Sequence, residues 1–508
     1  MNQGVNVVIF TEWMGVPYVK GRAAGAYRIA TEIRNAGYTC QVIDFFTHLT
    51  LEEMIRIEEL SIGTDTLVVG FSSTFLEYVD SIKYPWQKDI PSTVTYDMPY
   101  HLITIDKWFS RIRKLNPNIK FLLGGTKAEA SIGLRLSAAE AFDAFAIGVE
   151  CDRSTIEYLK FLEGKNPFFQ YEKRNDRQII INADNYPFDF SKSTINWHPS
   201  DCRQHGETGV IEISRGCIFR CKFCSFKLNG KQKLDYLKND DILREEFLRN
   251  YYEYGITRYV YCDDTHNDSV EKLRRLHKIV TTLPFKLEYV AYLRLDLIWT
   301  HPETAQLLLE SGIRGAAFGI ESLNLATRKA VGKGGHPDKV KETLLWLKND
   351  VWKDKVTITG TFIVGLPHET PESIESTLNW LRQPDNPLDI KVVYPFFISN
   401  LSGNGKSELD RNAEKYGYTR LGVKNWSNEH FTYASALKIA NEFTSTSYAS
   451  QLQAHSGFTL LFTPNIGYEI DDLAFKKIIN KDLEEMIRRS NEYINNYKLR
   501  LFEYLENR

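Results

Sequence analysis

The sequence has no run of about 18 apolar residues, so no transmembrane helix is expected. It has no excess of either charge. Lys and Arg number 63 against 65 Asp and Glu, a net charge of −2, which removes the basic footprint of a nucleic-acid binder. The start lacks a basic n-region, and the apolar run at residues 5–10 is broken by Asn6, so it reads as a strand and not as a signal peptide. A cytoplasmic protein, without a membrane partner, is expected. There is no internal repeat and no low-complexity tract. Cysteine is scarce, seven in 508 residues. Cys40, Cys151, Cys202 and Cys262 are scattered, the pattern of reduced thiols in a cytosolic chain.

What is present is an ordinary globular balance, 43% hydrophobic and 25% charged, with 13% aromatics that suit large cores or a pocket for a planar ligand. The length predicts about two to four domains. Across residues 1–150, short apolar runs at 5–10, 40–43, 67–71, 119–123 and 144–147 alternate with helical patterns. One of these is 22–36, where Ala26, Ile29, Ala30 and Ile33 share a face and Gly37 follows as a cap. Such alternation predicts an α/β fold: a doubly wound parallel sheet whose ligands bind at the strands' carboxyl edge. Residues 75–106, rich in Tyr, Pro and Asp, read as a long insertion over that edge. Residues 151–208 begin with a helix near 154–162 and read as a connecting segment.

A second series occupies 209–400, with strands at 210–213, 257–262, 285–293, 315–320, 356–364 and 390–396. Six βα units make an open, partial (β/α)6 barrel, short of the eight of a closed one. Residues 401–508 read as mostly helical and would cap the barrel mouth. The Tyr and Phe residues near 430–463 would line a pocket there or belong to its core.

Directly after the first strand of the second series stands Cys217-Ile218-Phe219-Arg220-Cys221-Lys222-Phe223-Cys224. Soft thiolates are what iron–sulfur clusters need, and three on one loop can grip three irons of a cubane, leaving the fourth open. Zinc takes four ligands, and no CxxC or HxxxH partner is near. A disulfide is out of place in the cytosol.

This CxxxCxxC segment, with aromatic Phe223 before its third cysteine, resembles the signature of the radical S-adenosylmethionine (radical SAM) superfamily. The resemblance implies a 4Fe–4S cluster on Cys217, Cys221 and Cys224, whose open iron is chelated by S-adenosylmethionine. A reduced cluster would then cleave the sulfonium to a 5′-deoxyadenosyl radical. Further segments match in the family's order. Asp263 and Asp264, in Cys262-Asp263-Asp264-Thr265-His266-Asn267, would hold the methionine amino group, or would cap a helix. Arg294 would fork to a carboxylate or pair with Asp296. Glu321, in Gly319-Ile320-Glu321-Ser322, would meet the ribose hydroxyls or be structural. Backbone groups around Ile363 and Gly365, in the run ending Gly365-Leu366-Pro367-His368-Glu369, would contact adenine.

The front domain resembles the cobalamin-binding domain of the subclass that includes class B-like methyltransferases. Cobalamin would rest on Thr11, Ser72, Ser73, Gly124, Gly125, Thr126 and Glu150. The DxHxxG segment that supplies a cobalt-ligating His in many cobalamin proteins is missing, as is common in this subclass. The expected activity is methylation of an unactivated carbon. The alternatives are a cobalamin-independent radical enzyme, a cobalamin-dependent cyclisation or rearrangement, and a non-catalytic sensor. A methylthiotransferase is disfavoured, because Cys40, Cys151 and Cys202 are too dispersed for a second triplet. Expected partners are a small-molecule or peptide substrate and an electron donor such as flavodoxin or ferredoxin. Cys262 would donate a hydrogen atom or be a buried strand-end thiol.

Overall fold

The computed structural model describes residues 3–16, 18–72, 108–125, 128–133, 137–226, 228–397, 407–422, 425–446, 460–470 and 483–508. The expected insertion at 75–106 lies outside these residues, as do Ser73 and Thr126. The chain divides into two compact units, one of Met1–Met14, Gly21–His205 and Arg488–Arg508, the other of Gly15–Lys20 and Gly206–Ile487.

The first unit is built on β1 (Val7–Phe10), β2 (Cys40–Ile43), β3 (Val68–Ser72), β4 (Lys120–Gly124), β5 (Ala144–Ile147), β6 (Glu172–Lys173) and β7 (Ile179–Asn182). Their order in the sheet is β2-β1-β3-β4-β5-β7-β6. All neighbours are parallel except β6–β7. β1 and β2 are buried along their whole length, as strands covered on both faces must be. The order reverses between β1 and β3, which makes the carboxyl ends of those two strands the topological switch point. Helix α1 (Ala24–Asn35) buries Ala26, Ala30 and Ile33, and Gly37 ends it with φ +89°.

Residues 151–208, expected as a connection, do more than connect. They hold α2 (Asp152–Leu162) and β7, which pairs in parallel with β5 from Ala144↔Ile179 to Ile147↔Asn182. The run Ile179-Ile180-Ile181 is short and set among polar residues, so its pattern alone does not mark a strand. The open edge of β5 recruits it.

The second unit carries a six-stranded parallel sheet in strict chain order: β8 (Gly209–Ile211), β9 (Arg258–Tyr261), β10 (Glu288–Leu293), β11 (Ile313–Glu321), β12 (Thr357–Val364) and β13 (Ile390–Pro395). These are the six expected strands, each within a few residues of its expected bounds. Sequential parallel order with helices between strands is the wiring of a partial barrel. A register shift between Gly319 and Glu321 bends the end of β11.

After the barrel come a two-stranded hairpin (Thr419–Gly422 with Asn425–Ser427), a helix at Tyr433–Thr446 and a terminal helix at Leu483–Glu506. Phe431, Phe443 and Phe462 are buried in the core. No helix among the described residues is long and apolar enough to cross a membrane.

Candidate active site

The cysteine loop leaves β8 and is fastened by backbone bonds at both ends. Cys217 N–H donates to Leu228 O at 3.0 Å, and Gly230 N–H donates to Cys217 O at 2.7 Å. Gly216 must be glycine: its φ is +80°, and a Cβ there would lie 2.6 Å from Leu228 Cβ. Cys224 N–H donates to Cys221 O at 3.0 Å, closing a turn that brings the last two thiols onto one loop. Burial raises the Cys217 thiol above its ordinary range and pushes Cys224 up to about 11. Burial thus favours the neutral thiol at Cys217 and Cys224, and a metal centre would supply the compensating charge for their thiolates. Among the described residues no three ligating side chains converge on one ion-sized point. A cubane, which takes one thiolate per iron, does not require that they do.

Asp263 and Asp264 have different surroundings. Asp263, 1% exposed, accepts from Ile213 N–H at 2.7 Å and from the Ser214 N–H at 3.0 Å and hydroxyl at 3.1 Å. It also pairs with Lys272 at 3.0 Å and His266 at 3.3 Å. Its oxygens are thus occupied in tying the end of β9 to the start of the cysteine loop. Asp264 is half-buried, and one oxygen accepts from Gly216 N–H at 3.0 Å. Burial, with Glu212 nearby, pushes its carboxyl up to about 6. Neither caps the next helix (Val270–Thr281), because Ser269 does.

Arg294, at the end of β10, pairs with Asp296 and also reaches the cysteine loop, a contact the sequence did not suggest. Its Nε donates to Asp296 Oδ1 at 2.9 Å and its Nη2 to Asp296 Oδ2, while Nη1 lies 3.1 Å from Cys221 Sγ. The guanidinium also covers the Phe219 ring, 3.7 Å from its centroid. Asp296 and the Cys221 sulfur hold it charged. A fixed cation on a ligand sulfur offsets negative charge on a cluster. Cys217 has a quieter neighbour, the Thr265 hydroxyl at 3.1 Å.

Glu321 ends β11 in the left-handed region, φ +67°, a conformation that a non-glycine residue holds only when its surroundings over-determine it. Arg328 and Lys333 do so. Arg328 donates to Ile320 O at 3.0 Å and Ser322 O at 2.9 Å. Lys333 donates to Gly319 O at 2.6 Å and pairs with Glu321 at 3.3 Å. Lys333 also lies 6.0 Å from the Phe223 ring, and its carbonyl accepts from Arg294 at 3.3 Å. Cys221, Arg294, Lys333, Glu321 and Phe223 therefore form one connected cluster. Lys333 and Arg328 were not singled out in the sequence. Their signal was the glycine-rich Gly332-Lys333-Gly334-Gly335, whose three glycines all have positive φ.

At the end of β12, Ile363 is half-buried and Gly365 turns at φ +93°. A Cβ at Gly365 would lie 2.3 Å from the Trp426 ring. The turn is held by Glu369, another residue that reading the sequence did not single out. Its Oε2 accepts from Gly365 N–H at 2.9 Å and Leu366 N–H at 3.2 Å. Burial pushes this carboxyl up to about 8, against the lowering effects of Ser322 and the two amides. A carboxyl with a raised folded pKa contributes stability that is complete below its free value of 4.5 and is lost as pH rises through about 8. Glu369→Gln mimics the neutral form. Its melting temperature should match wild type near pH 5 and exceed it by several degrees at pH 8.5, since a tenfold change in proton affinity is worth about 1.4 kcal/mol. Equal pH slopes in thermal unfolding would show that Glu369 ionises freely.

In the first unit, the described residues among those expected to hold cobalamin lie at the carboxyl edge of the parallel sheet. Thr11 follows β1 and is buried, its N–H donating to Ile43 O at 2.9 Å. Ser72 and Gly124 end β3 and β4, Gly125 follows at φ +96°, and Glu150 lies three residues beyond β5. Ser72, Gly124 and Gly125 are small, so their side chains do not bar close approach to the backbone there. Beside Thr11, Glu12 is 4% exposed, and burial pushes its carboxyl up to about 7, although Trp13 and Thr47 N–H groups donate to it.

Residues 211–381 match the family model of the radical SAM superfamily. An uncharacterized methyltransferase of Pyrococcus horikoshii is 30% identical over 313 residues, 58% of this chain and 63% of that one. The chain thus spans less than two thirds of that relative. The radical S-adenosylmethionine methyltransferase TsrM from Kitasatospora setae, solved with tryptophan and aza-SAM, aligns with a TM-score of 0.56 and 14% identity, over 76% of this chain and 72% of its own. The cobalamin-dependent S-adenosylmethionine radical enzyme OxsB, solved with aqua-cobalamin and S-adenosylmethionine, aligns with a TM-score of 0.56 and 11% identity, over 97% and 72%. At these identities the likeness is one of fold.

Proposed function

We propose, from the membership of residues 211–381 in the radical SAM superfamily, that this chain is a radical SAM enzyme that methylates an unactivated carbon of a small-molecule substrate, with cobalamin as methyl carrier. The observation that carries the reading is the three-thiol loop at the end of β8, with Arg294 on the Cys221 sulfur at 3.1 Å. The donor set fits the group: three soft ligands, one per iron, under a fixed cation. A reduced 4Fe–4S cluster with S-adenosylmethionine supplies the 5′-deoxyadenosyl radical, and cobalamin supplies a transferable methyl group.

The chain's own residues bind and orient. Asp264, half-buried with an oxygen to spare, is better placed than the fully occupied Asp263 to accept from the methionine ammonium. Glu321, held out of regular strand geometry by Arg328 and Lys333, offers its carboxylate to the ribose. The backbone at Ile363, beside the Gly365 turn, meets the adenine. Cobalamin would lie on the carboxyl edge at Thr11, Ser72, Gly124, Gly125 and Glu150, with Ser73 and Thr126 as further candidate contacts. Support comes from the switch point between β1 and β3, from the name of the Pyrococcus horikoshii relative and from the fold shared with TsrM and OxsB. The seven free cysteines suit a reducing cytoplasm, where an electron donor of the flavodoxin or ferredoxin type would reduce the cluster.

The test is anaerobic purification with cobalamin supplied, followed by iron, sulfide and cobalt assays and product analysis with labelled S-adenosylmethionine. About four irons and one cobalt per chain are expected. Four irons without cobalt after reconstitution would remove the methylcobalamin part. A chain that takes up no iron would remove the whole reading.

A further inference from the structure

Gly365 has both of its backbone polar groups occupied. Its N–H is taken by Glu369, and its carbonyl accepts twice, from Tyr418 Oη at 2.5 Å and from Asn428 Nδ2 at 3.2 Å. Both donors lie beyond the family-model match, which ends at residue 381. The Asn428 amide has only one orientation that satisfies its neighbours, because its Oδ1 accepts from His430 N–H at 3.1 Å and Phe431 N–H at 2.8 Å. Burial keeps the Tyr418 hydroxyl protonated, hence a donor, throughout the physiological range. Trp426 closes the same turn. Its ring occupies the space a Gly365 side chain would need, and its Nε1 donates to Phe396 O at 2.9 Å. Phe396, Tyr418 and Trp426 pack with ring centroids 5.4 to 6.0 Å apart.

The same stretch of chain reaches the cysteine loop. Leu409 N–H donates to Lys222 O at 2.8 Å, Lys222 pairs with Glu408 at 2.5 Å, and Tyr416 Oη donates to Glu408 at 2.7 Å. One post-barrel segment, residues 407–431, is therefore bonded both to the loop that carries the thiols and to the turn at the end of β12.

We propose that Tyr418 and Asn428 are positioning residues for the nucleoside end of S-adenosylmethionine. They hold the Gly365 carbonyl away from the ligand and fix the turn that presents the backbone at Ile363. The inference rests on the reading of this site as an S-adenosylmethionine site. Gly365 serves through its conformation, since both of its polar groups are already used. The segment that sets this conformation also sets the cysteine loop, so the two ends of the bound molecule are spaced by one brace.

The test uses the full chain, anaerobically reconstituted, as wild type, Tyr418→Phe, Asn428→Asp and the double variant. Asn428→Asp keeps the acceptor for His430 and Phe431, loses the donor to Gly365 and sets a carboxylate oxygen against its carbonyl. S-adenosylmethionine binding is measured by equilibrium dialysis, and the paramagnetic resonance spectrum of the reduced cluster is recorded with S-adenosylmethionine and with methionine alone. The dissociation constant should rise about tenfold in each single variant, the loss of one buried hydrogen bond, and more in the double. Iron content and the spectral response to methionine, which lacks the nucleoside, should stay as in wild type. Wild-type affinity in the double variant overturns the proposal alone. So does equal loss of the methionine response or of iron, which would mark a general folding role. A wild-type cluster whose spectrum ignores S-adenosylmethionine overturns the site reading, and this proposal with it.

Discussion

Replacing Cys217, Cys221 or Cys224 singly by alanine should reduce bound iron from about four per chain to less than about one, and abolish cleavage of S-adenosylmethionine. Each thiolate would hold a different iron, so no neighbour could take over, and the described residues around the loop offer no spare soft donor. Thr265 on the Cys217 sulfur and Arg294 on the Cys221 sulfur are a hydroxyl and a cation. Cys40 and Cys262 serve as controls. Cys40 is buried in β2, and the Cys262 thiol points to Val260 O at 3.8 Å. Serine at either position should leave the iron content unchanged. Iron and sulfide assays after anaerobic reconstitution decide the matter. A single alanine variant with full wild-type iron would mean that the loop is not the cluster's seat.

The second large effect is expected at Asp263, whose oxygens are engaged by protein groups. Asp263→Asn should lower the melting temperature of the barrel unit by about 10 °C, from a cost of about 3–5 kcal/mol. Asp263 and Asp268 balance Lys272 and Lys231 in a buried set: Lys272 lies 3.0 Å from Asp263 and 3.2 Å from Asp268, and Lys231 lies 3.5 Å from Asp268. His266 adds no charge at neutral pH, because burial lowers its pKa. Removing one anion leaves an uncompensated buried ammonium. Burial alone would raise the Asp263 pKa, but Lys272 beside it, with His266 and the Ser214 amide, holds it well below the usual carboxylate range. The stability this supplies is present above the unfolded value of about 3.9 and is lost as pH falls below it. The variant should therefore lack part of the wild type's acid sensitivity. Ser214, which bonds to Asp263, stands three residues before Cys217, so iron uptake should fall too. An unchanged melting temperature together with full iron uptake would show that the network is dispensable.

Much of the site's chemistry was legible in the sequence because it is local. Three thiols within eight residues must share a loop. Gly216 beside them, and Gly365 after an apolar strand, mark turns that only glycine makes easily. The six barrel strands were legible for a related reason: buried parallel strands are short apolar runs, and the helices between them carry their own period. Glu321 was visible as a residue, but its strained backbone was not, since φ +67° depends on Arg328 and Lys333 closing over it.

By itself, then, the sequence determined the class of each layer, the order of the barrel strands and the loop that would carry a metal cluster, because these follow from short-range pattern and from the chemistry of side chains a few positions apart. Only the tertiary structure decided the matters that turn on long-range neighbours. It gave the adjacent carboxylates Asp263 and Asp264 different environments by burying one against Lys272. It drew residues 179–182 into the first sheet, because the edge of β5 was open. It brought Tyr418 and Asn428, more than fifty residues downstream, onto the Gly365 carbonyl. Burial and hydrogen-bond partnership arise from chain segments far apart in sequence, and no spacing along the chain records which of them will meet.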